Sequence, residues 1–122
     1  MQKQGRAFTL IELVVVIIVL GLLATLAIPR FQKQLERGRA AEAYRMLAEI
    51  RTAQEIWKNE HGAYTENLAD LGFGGLGGCS PERFFSYYSS GNEAVAERCT
   101  ANRYIITINL ISGNINDDVL RI

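Results

Sequence analysis

Very little in this sequence belongs to the usual furniture of an enzyme. There is one histidine, two cysteines and two prolines in 122 residues. No second histidine or cysteine stands at metal-ligand spacing from His61, so the residue reads as a helix-end surface group. No serine or cysteine has the neighbouring base that an activated nucleophile needs. The glycine-rich stretch "GFGGLGG", Gly72 to Gly78, lacks the Lys-Ser/Thr that completes a phosphate loop. Net charge is zero, from 13 basic and 13 acidic residues, which removes any global electrostatic case for a nucleic-acid partner. The absences together predict no catalytic residue, no bound metal and no cofactor.

What the chain has in abundance is apolar surface near its start. From Phe8 to Ile28 the sequence "FTLIELVVVIIVLGLLATLAI" is almost wholly apolar. As a helix this run spans roughly 32 Å, about one hydrocarbon thickness. Lys3 and Arg6 precede it, but it is longer than a signal-peptide core, and no A-x-A site followed by a polar segment appears. The run is expected to be retained as a membrane helix. Glu12 lies inside it, and a carboxylate in lipid costs roughly 3 kcal/mol on insertion scales. Such a group needs a partner, and no Asp, His or Lys elsewhere in the run supplies one. Gly21 and Pro29 mark a weak stretch, since glycine costs about 1 kcal/mol in a helix and proline removes a hydrogen bond.

"AFTLIEL", with the run closing in "LAIPRF", resembles the class III leader and first helix of type IV pilins and pseudopilins. The resemblance implies cleavage by a prepilin peptidase at the Ala7–Phe8 bond and methylation of the new Phe8 amine. Residue 7 is alanine where the family usually has glycine. Glu12 then falls on the family's glutamate, and Pro29 on its helix-kinking proline. It also implies that the Phe8 amine of an incoming subunit neutralises the Glu12 of one already assembled, making the buried charge a register device. In related filaments the stretch between Gly21 and Pro29 melts and extends.

Beyond Pro29 the pattern turns to a helical period. Ala40, Ala43, Tyr44, Leu47, Ile50, Ala53, Ile56 and Trp57 recur at three- and four-residue steps, with charges on the other face. Tyr44 and Trp57 read as core anchors, and Gly62 as the cap that ends the helix. The charge is also patterned: Arg30 to Arg51 is basic, and acids lead after Arg51. A basic band followed by an acidic head suits self-association.

The rest reads as a small sheet. Strand candidates are Arg83–Ser89, Ala94–Thr100, Arg103–Ile111 and Ile115–Leu120, with "SGN" turns at Ser90–Asn92 and Ser112–Asn114. A short helical turn is expected at Glu66–Leu71. In "RFFSYYSS", alternation places Phe85 and Tyr87 on one face and Phe84 and Tyr88 on the other, with packing the ordinary role. Asn114, Asn116, Asp117 and Asp118 lack an EF-hand pattern and read as a solvated turn. Cys79 and Cys99 fit one disulfide in an exported domain, worth about 3 kcal/mol on the chain-entropy model.

The expected architecture is α+β and pilin-like: a long N-terminal helix, half membrane and half amphipathic, packed on a small antiparallel sheet. The expected divisions are a leader at 1–7, a transmembrane or filament-core helix at 8–29, and a head at 30–122. Within the head the amphipathic helix covers 30–61, a loop 62–81 and the sheet 82–122. The expected function is a structural subunit of a type IV pilus-like extracellular filament, held first in the inner membrane. Its partners would be copies of itself, the prepilin peptidase and the assembly machinery, with no nucleic acid for a major subunit. Two alternatives are a major pseudopilin of a periplasmic secretion pseudopilus, and a minor pilin that binds DNA or a receptor. One pattern points the other way. Arg30, Lys33, Arg37 and Arg39 follow the apolar run against Lys3 and Arg6 before it. The positive-inside count alone would therefore put the head in the cytoplasm.

Overall fold

A computed structural model describes residues 5–100 and 103–118. Its element order is a single helix α1 (Leu10–His61), a 3-10 turn (Leu68–Leu71), and strands β1 (Phe85–Ser90), β2 (Glu93–Arg98), β3 (Ile105–Asn109) and β4 (Ile115–Asp117). The chain divides into two compact units, Met1–Glu36 and Arg37–Ile122. The architecture is α+β, a long N-terminal helix with an antiparallel sheet.

In the first unit the helix runs unbroken past Gly21 and Pro29. Pro29 has no N–H to offer the carbonyl of Thr25, so the helix is weakest there. The hydroxyl of Thr25 donates to the Leu22 carbonyl at 2.7 Å.

In the second unit α1 lays one narrow seam on the sheet. Ala40, Ala43, Leu47, Ile50 and Gln54 are buried, at steps of three and four. Facing them are Phe85, Tyr87, Ala94, Ala96, Tyr104, Ile106, Ile108 and Leu110. The strands form a meander in the order β1-β2-β3-β4, every pair antiparallel. Alternation along "YIITINL" holds, with Tyr104, Ile106, Ile108 and Leu110 buried while Ile105 and Ile111 stay exposed. The first "SGN" makes a two-residue hairpin turn, since Ser90 pairs with Glu93 and Gly91 takes a positive φ of 57°. At the second, the Asn109 side-chain oxygen accepts from the amides of Ile111 and Ser112. Gly113 has φ 74°, and a Cβ there would sit 3.1 Å from the Arg51 guanidinium carbon. The helix ends as its glycine requires, with Gly62 at φ 83° and its amide on the Lys58 carbonyl at 2.7 Å.

Several expectations shift. Trp57 is not a core anchor: it is half-buried and its ring stacks on His61 at 3.8 Å between centroids. Ile56 is 57% exposed. The position that continues the seam is Gln54, whose amide nitrogen donates to the Thr65 carbonyl at 2.6 Å and the Ser89 hydroxyl at 3.1 Å. Its carbonyl accepts from the Thr65 amide at 3.0 Å. A fully satisfied amide fills a core position without the cost of an unpaired polar group. Tyr44 packs against the core while only partly buried. The strands are also shorter than expected, because Cys99 and Thr100 leave the ladder at the disulfide and Leu110 and Ile111 enter the Asn109 turn. For the fourth candidate, Val119 and Leu120 lie outside the described residues.

The glycine-rich link has a definite role. The Tyr87 amide donates to the Leu76 carbonyl at 3.0 Å, so the link covers the free edge of β1. The Arg83 guanidinium donates to the Gly75 carbonyl in the same link.

Leu47→Ala should cost about 2–5 kcal/mol of head stability, and Ile56→Ala no more than about 0.5 kcal/mol. Urea unfolding of the full chain in detergent checks this; equal losses at the two sites would contradict the seam described here.

Candidate functional site

The candidate site is the start of α1. Residues 5–9 are irregular and exposed, and the helix begins at Leu10. The Ala7–Phe8 bond therefore lies in accessible non-helical backbone, the condition a peptidase needs. Phe8 is 86% exposed.

Thr9 stands at the cap position, and with Glu12 it forms a capping box. The Glu12 carboxylate accepts from the Thr9 amide at 2.9 Å and from its hydroxyl at 3.1 Å. In return the Thr9 hydroxyl oxygen accepts from the Glu12 amide at 3.3 Å. Two of the orphan donors at the helix start are thereby satisfied by side chains of the same turn. The Glu12 carboxylate thus has hydrogen bonds before any second chain approaches. Attention to the charge alone passed over Thr9, although "TLIE" has the T-x-x-E spacing that signals this box.

Every apolar side chain from Leu10 to Ile28 is exposed, and the stretch is long and apolar enough to cross a membrane. Transfer of such a surface from water is favourable by about 25 cal/mol for each Å² covered. Lipid or the same segment of other copies can provide the cover. Gly21 and Pro29 lie within this surface.

The other predicted residues sit in the head. Cys79 and Cys99 form a disulfide with Cα atoms 5.5 Å apart. It joins the segment before β1 to the end of β2, where the Cys99 amide also donates to the Phe84 carbonyl at 2.9 Å. Phe85 and Tyr87 are buried, whereas Phe84 and Tyr88 are each 42% exposed. The Arg39 and Arg98 guanidinium groups lie 4.7 and 5.3 Å from the Phe84 ring centre.

Asp117 is more than a solvated turn residue. Its carboxylate accepts from the Tyr44 hydroxyl at 2.6 Å, tying β4 to α1. Burial, then that hydrogen bond and the nearby Asp117 charge, push the Tyr44 pKa up to about 12. Burial and then the Glu42 charge push Tyr87 up to about 12 as well. Among the described residues no cluster of His, Cys, Asp or Glu is placed to hold a metal ion.

A tyrosine whose pKa is raised on folding contributes stability below its unfolded value of 10.0, and that contribution disappears as pH climbs towards 12. Thermal unfolding followed by circular dichroism should show the head weakening over this window. Tyr44→Phe should flatten the loss, leaving the part due to Tyr87. An identical alkaline loss in the variant would show that Tyr44 is not one of its sources.

Comparison with known proteins gives three kinds of relative. Residues 2–28 match the prokaryotic N-terminal methylation motif. The type IV major pilin protein PilA of Myxococcus xanthus is 38% identical over 80 residues, 66% of this chain and 34% of that protein. The prepilin peptidase-dependent protein D of Escherichia coli is 33% identical over 96 residues, 79% of this chain and 64% of that protein. The type II secretion system core protein G of Dickeya chrysanthemi is 29% identical over 72 residues, 59% of this chain and 47% of that protein. The chain thus spans between about a third and two thirds of the length of these relatives.

Proposed function

Because the chain belongs to the type IV pilin and pseudopilin family, whose members are structural and non-enzymatic subunits, we propose that it is the repeating subunit of an extracellular pilus-like filament. The observation that carries this reading is the exposed apolar helix bearing one carboxylate a single turn from the Ala7–Phe8 bond.

Residues 1–7 act as a leader. Prepilin peptidase cuts between Ala7 and Phe8, and the new Phe8 amine is methylated. Until assembly the segment 8–29 anchors the subunit in the inner membrane, and the head at 30–122 lies on the far side. The Cys79–Cys99 disulfide supports that placement, since such bonds persist in oxidising compartments. It outweighs the basic residues after the span, which act as a bias on insertion and not as a bar to it.

The chemistry of docking follows from the cap. Cleavage turns the Phe8 amide into a cation, while Glu12 is already held at the helix start by Thr9. A second copy whose amine reaches that carboxylate converts a hydrogen-bonded charge into an ion pair inside a dry bundle. A copy in the wrong register leaves both charges unpaired, which is costly where no water reaches. Gly21 and Pro29 give the packed segment a place to bend or unwind.

The similarity to core protein G of a type II secretion system favours a second reading, a major pseudopilin in a short periplasmic fibre. The identity to the major pilin of Myxococcus is higher, which favours the pilus.

Glu12→Gln tests the docking step, because glutamine keeps the capping geometry and removes only the charge. The variant should insert in the membrane and be cleaved as before. Its yield of sheared filaments should fall by about tenfold or more, the effect of losing ~1.4 kcal/mol at each addition. Unchanged filament yield would sink the ion-pair account.

A further inference from the structure

Two neighbouring cavities open on the head, away from both its core and the helix start. The first, about 310 Å³, lies between the 3-10 turn, the glycine-rich link and β1, with Asn67, Gly74, Gly75, Gly77 and Tyr88 among its walls. The second, about 500 Å³, lies where α1 ends beside the hairpin turns, with Lys58, Tyr64, Asn92 and Ile111 among its walls. Glu66 lines both. Its Oε1 accepts from the Gly91 amide at 3.1 Å, which pins the carboxylate at the junction and leaves Oε2 uncommitted. The pair makes one groove with an acceptor at its middle, in the size range of small-ligand sites.

The first cavity also holds donors that the fold does not use. Among the described residues, the backbone amides of Gly74, Gly75 and Gly77 donate to no atom of the chain. Gly75 is required by its φ of 83°. Gly74 and Gly77 are not so required. Neither takes a positive φ, and an added Cβ would meet its nearest neighbours at ordinary distances of 3.7 and 3.8 Å. What glycine gives at these two positions is bare backbone, open to a ligand. Tyr88 is 42% exposed beside them.

That combination selects a ligand chemistry. A hydroxyl both donates and accepts, so a sugar ring can accept from the glycine amides and donate to Glu66. Its apolar face can lie on the Tyr88 ring. An anion fits poorly, because Glu66 is the only charged side chain lining the first cavity. In the second, Lys58 is engaged with Tyr64, 4.5 Å above its ring and 3.4 Å from its hydroxyl.

We propose that the groove binds a neutral linear oligosaccharide. One ring lies against Tyr88 and the glycine amides, and the next lies beyond Glu66, beside Asn92 and Ile111. The walls are held in place without the ligand: the Phe73 amide donates to the Leu68 carbonyl at 2.9 Å, and the Tyr87 amide to the Leu76 carbonyl at 3.0 Å. The Cys79–Cys99 disulfide fastens the end of the link. The proposal goes beyond the polymer reading and does not depend on it, since one head carries the whole site. A fibre of many heads would multiply a weak single contact.

Amide NMR of the full ¹⁵N-labelled chain, in a detergent without a sugar headgroup, reads the site directly. The probes are maltotriose and triacetylchitotriose, each beside its own monosaccharide, with inorganic phosphate as the anion. At least one trisaccharide should shift the Gly74, Gly75 and Gly77 amides saturably. It should bind about tenfold tighter than its monosaccharide, through the second cavity. Tyr88→Ala and Glu66→Gln should each weaken that binding about fivefold. Glutamine keeps an oxygen for the Gly91 amide, and an otherwise unchanged spectrum shows that the head stays folded.

No saturable shift at these glycines from either trisaccharide would overturn the proposal. So would unchanged affinity in both variants, equal affinity for monosaccharide and trisaccharide, or phosphate moving the same amides in place of the sugars. Filament formation is read separately from sheared fractions, so failure here leaves the polymer reading standing.

Discussion

An apolar helix surface that stands exposed among the described residues is the constraint on which the rest of this molecule depends. From Leu10 to Ile28 every apolar side chain is exposed, and water does not tolerate that arrangement. The surface has two stable environments, a bilayer and a bundle of identical helices. A segment suited to both can pass from one to the other with little change in hydrophobic free energy. Specificity must then come from something other than hydrophobicity. On the proposed filament reading Glu12 supplies it, because a charge in a dry environment distinguishes a correct neighbour from a wrong one.

The head has a different problem, since it must stay folded with a small core. The narrow seam of α1 contributes alanines at 40 and 43, which bring helix and sheet close but bury little area. Links of other kinds make up the difference. The disulfide closes the end of the β1–β2 pair, Tyr44 holds β4 through Asp117, and Gln54 fastens the segment after the helix through Thr65. The glycine-rich link covers the edge of β1. In the filament proposed above, where copies lie side by side, a covered strand edge limits pairing in the wrong mode.

Legibility in the sequence followed the physical range of each interaction. The apolar run, the αL glycine ending the helix, the two-residue hairpin turn and the alternation around Ile106 are local patterns, and all four appear in the structure. Which flank of the amphipathic helix meets the sheet is a non-local matter. Ala53, Ile56 and Trp57 share the helical spacing of true core residues, and only the sheet's position decides that Gln54 is inside while Ile56 is out. Polarity misled in the same way: Gln54 looks like a surface residue until its three hydrogen bonds are seen. At the candidate site the Glu12 charge drew attention from the Thr9 hydroxyl three residues before it, although the cap signature was present. Asp117 reads as turn chemistry because its partner, Tyr44, lies 73 residues away.

The central claim is that the chain is processed at one bond and then assembled. The intact mass of the protein in filaments sheared from the cells that make it, taken with and without reductant, tests this most directly. The account predicts a chain beginning at Phe8, heavier by one methyl group, that gains about two daltons when the disulfide is reduced. A chain that still begins at Met1, or filaments that lack the protein altogether, would contradict it.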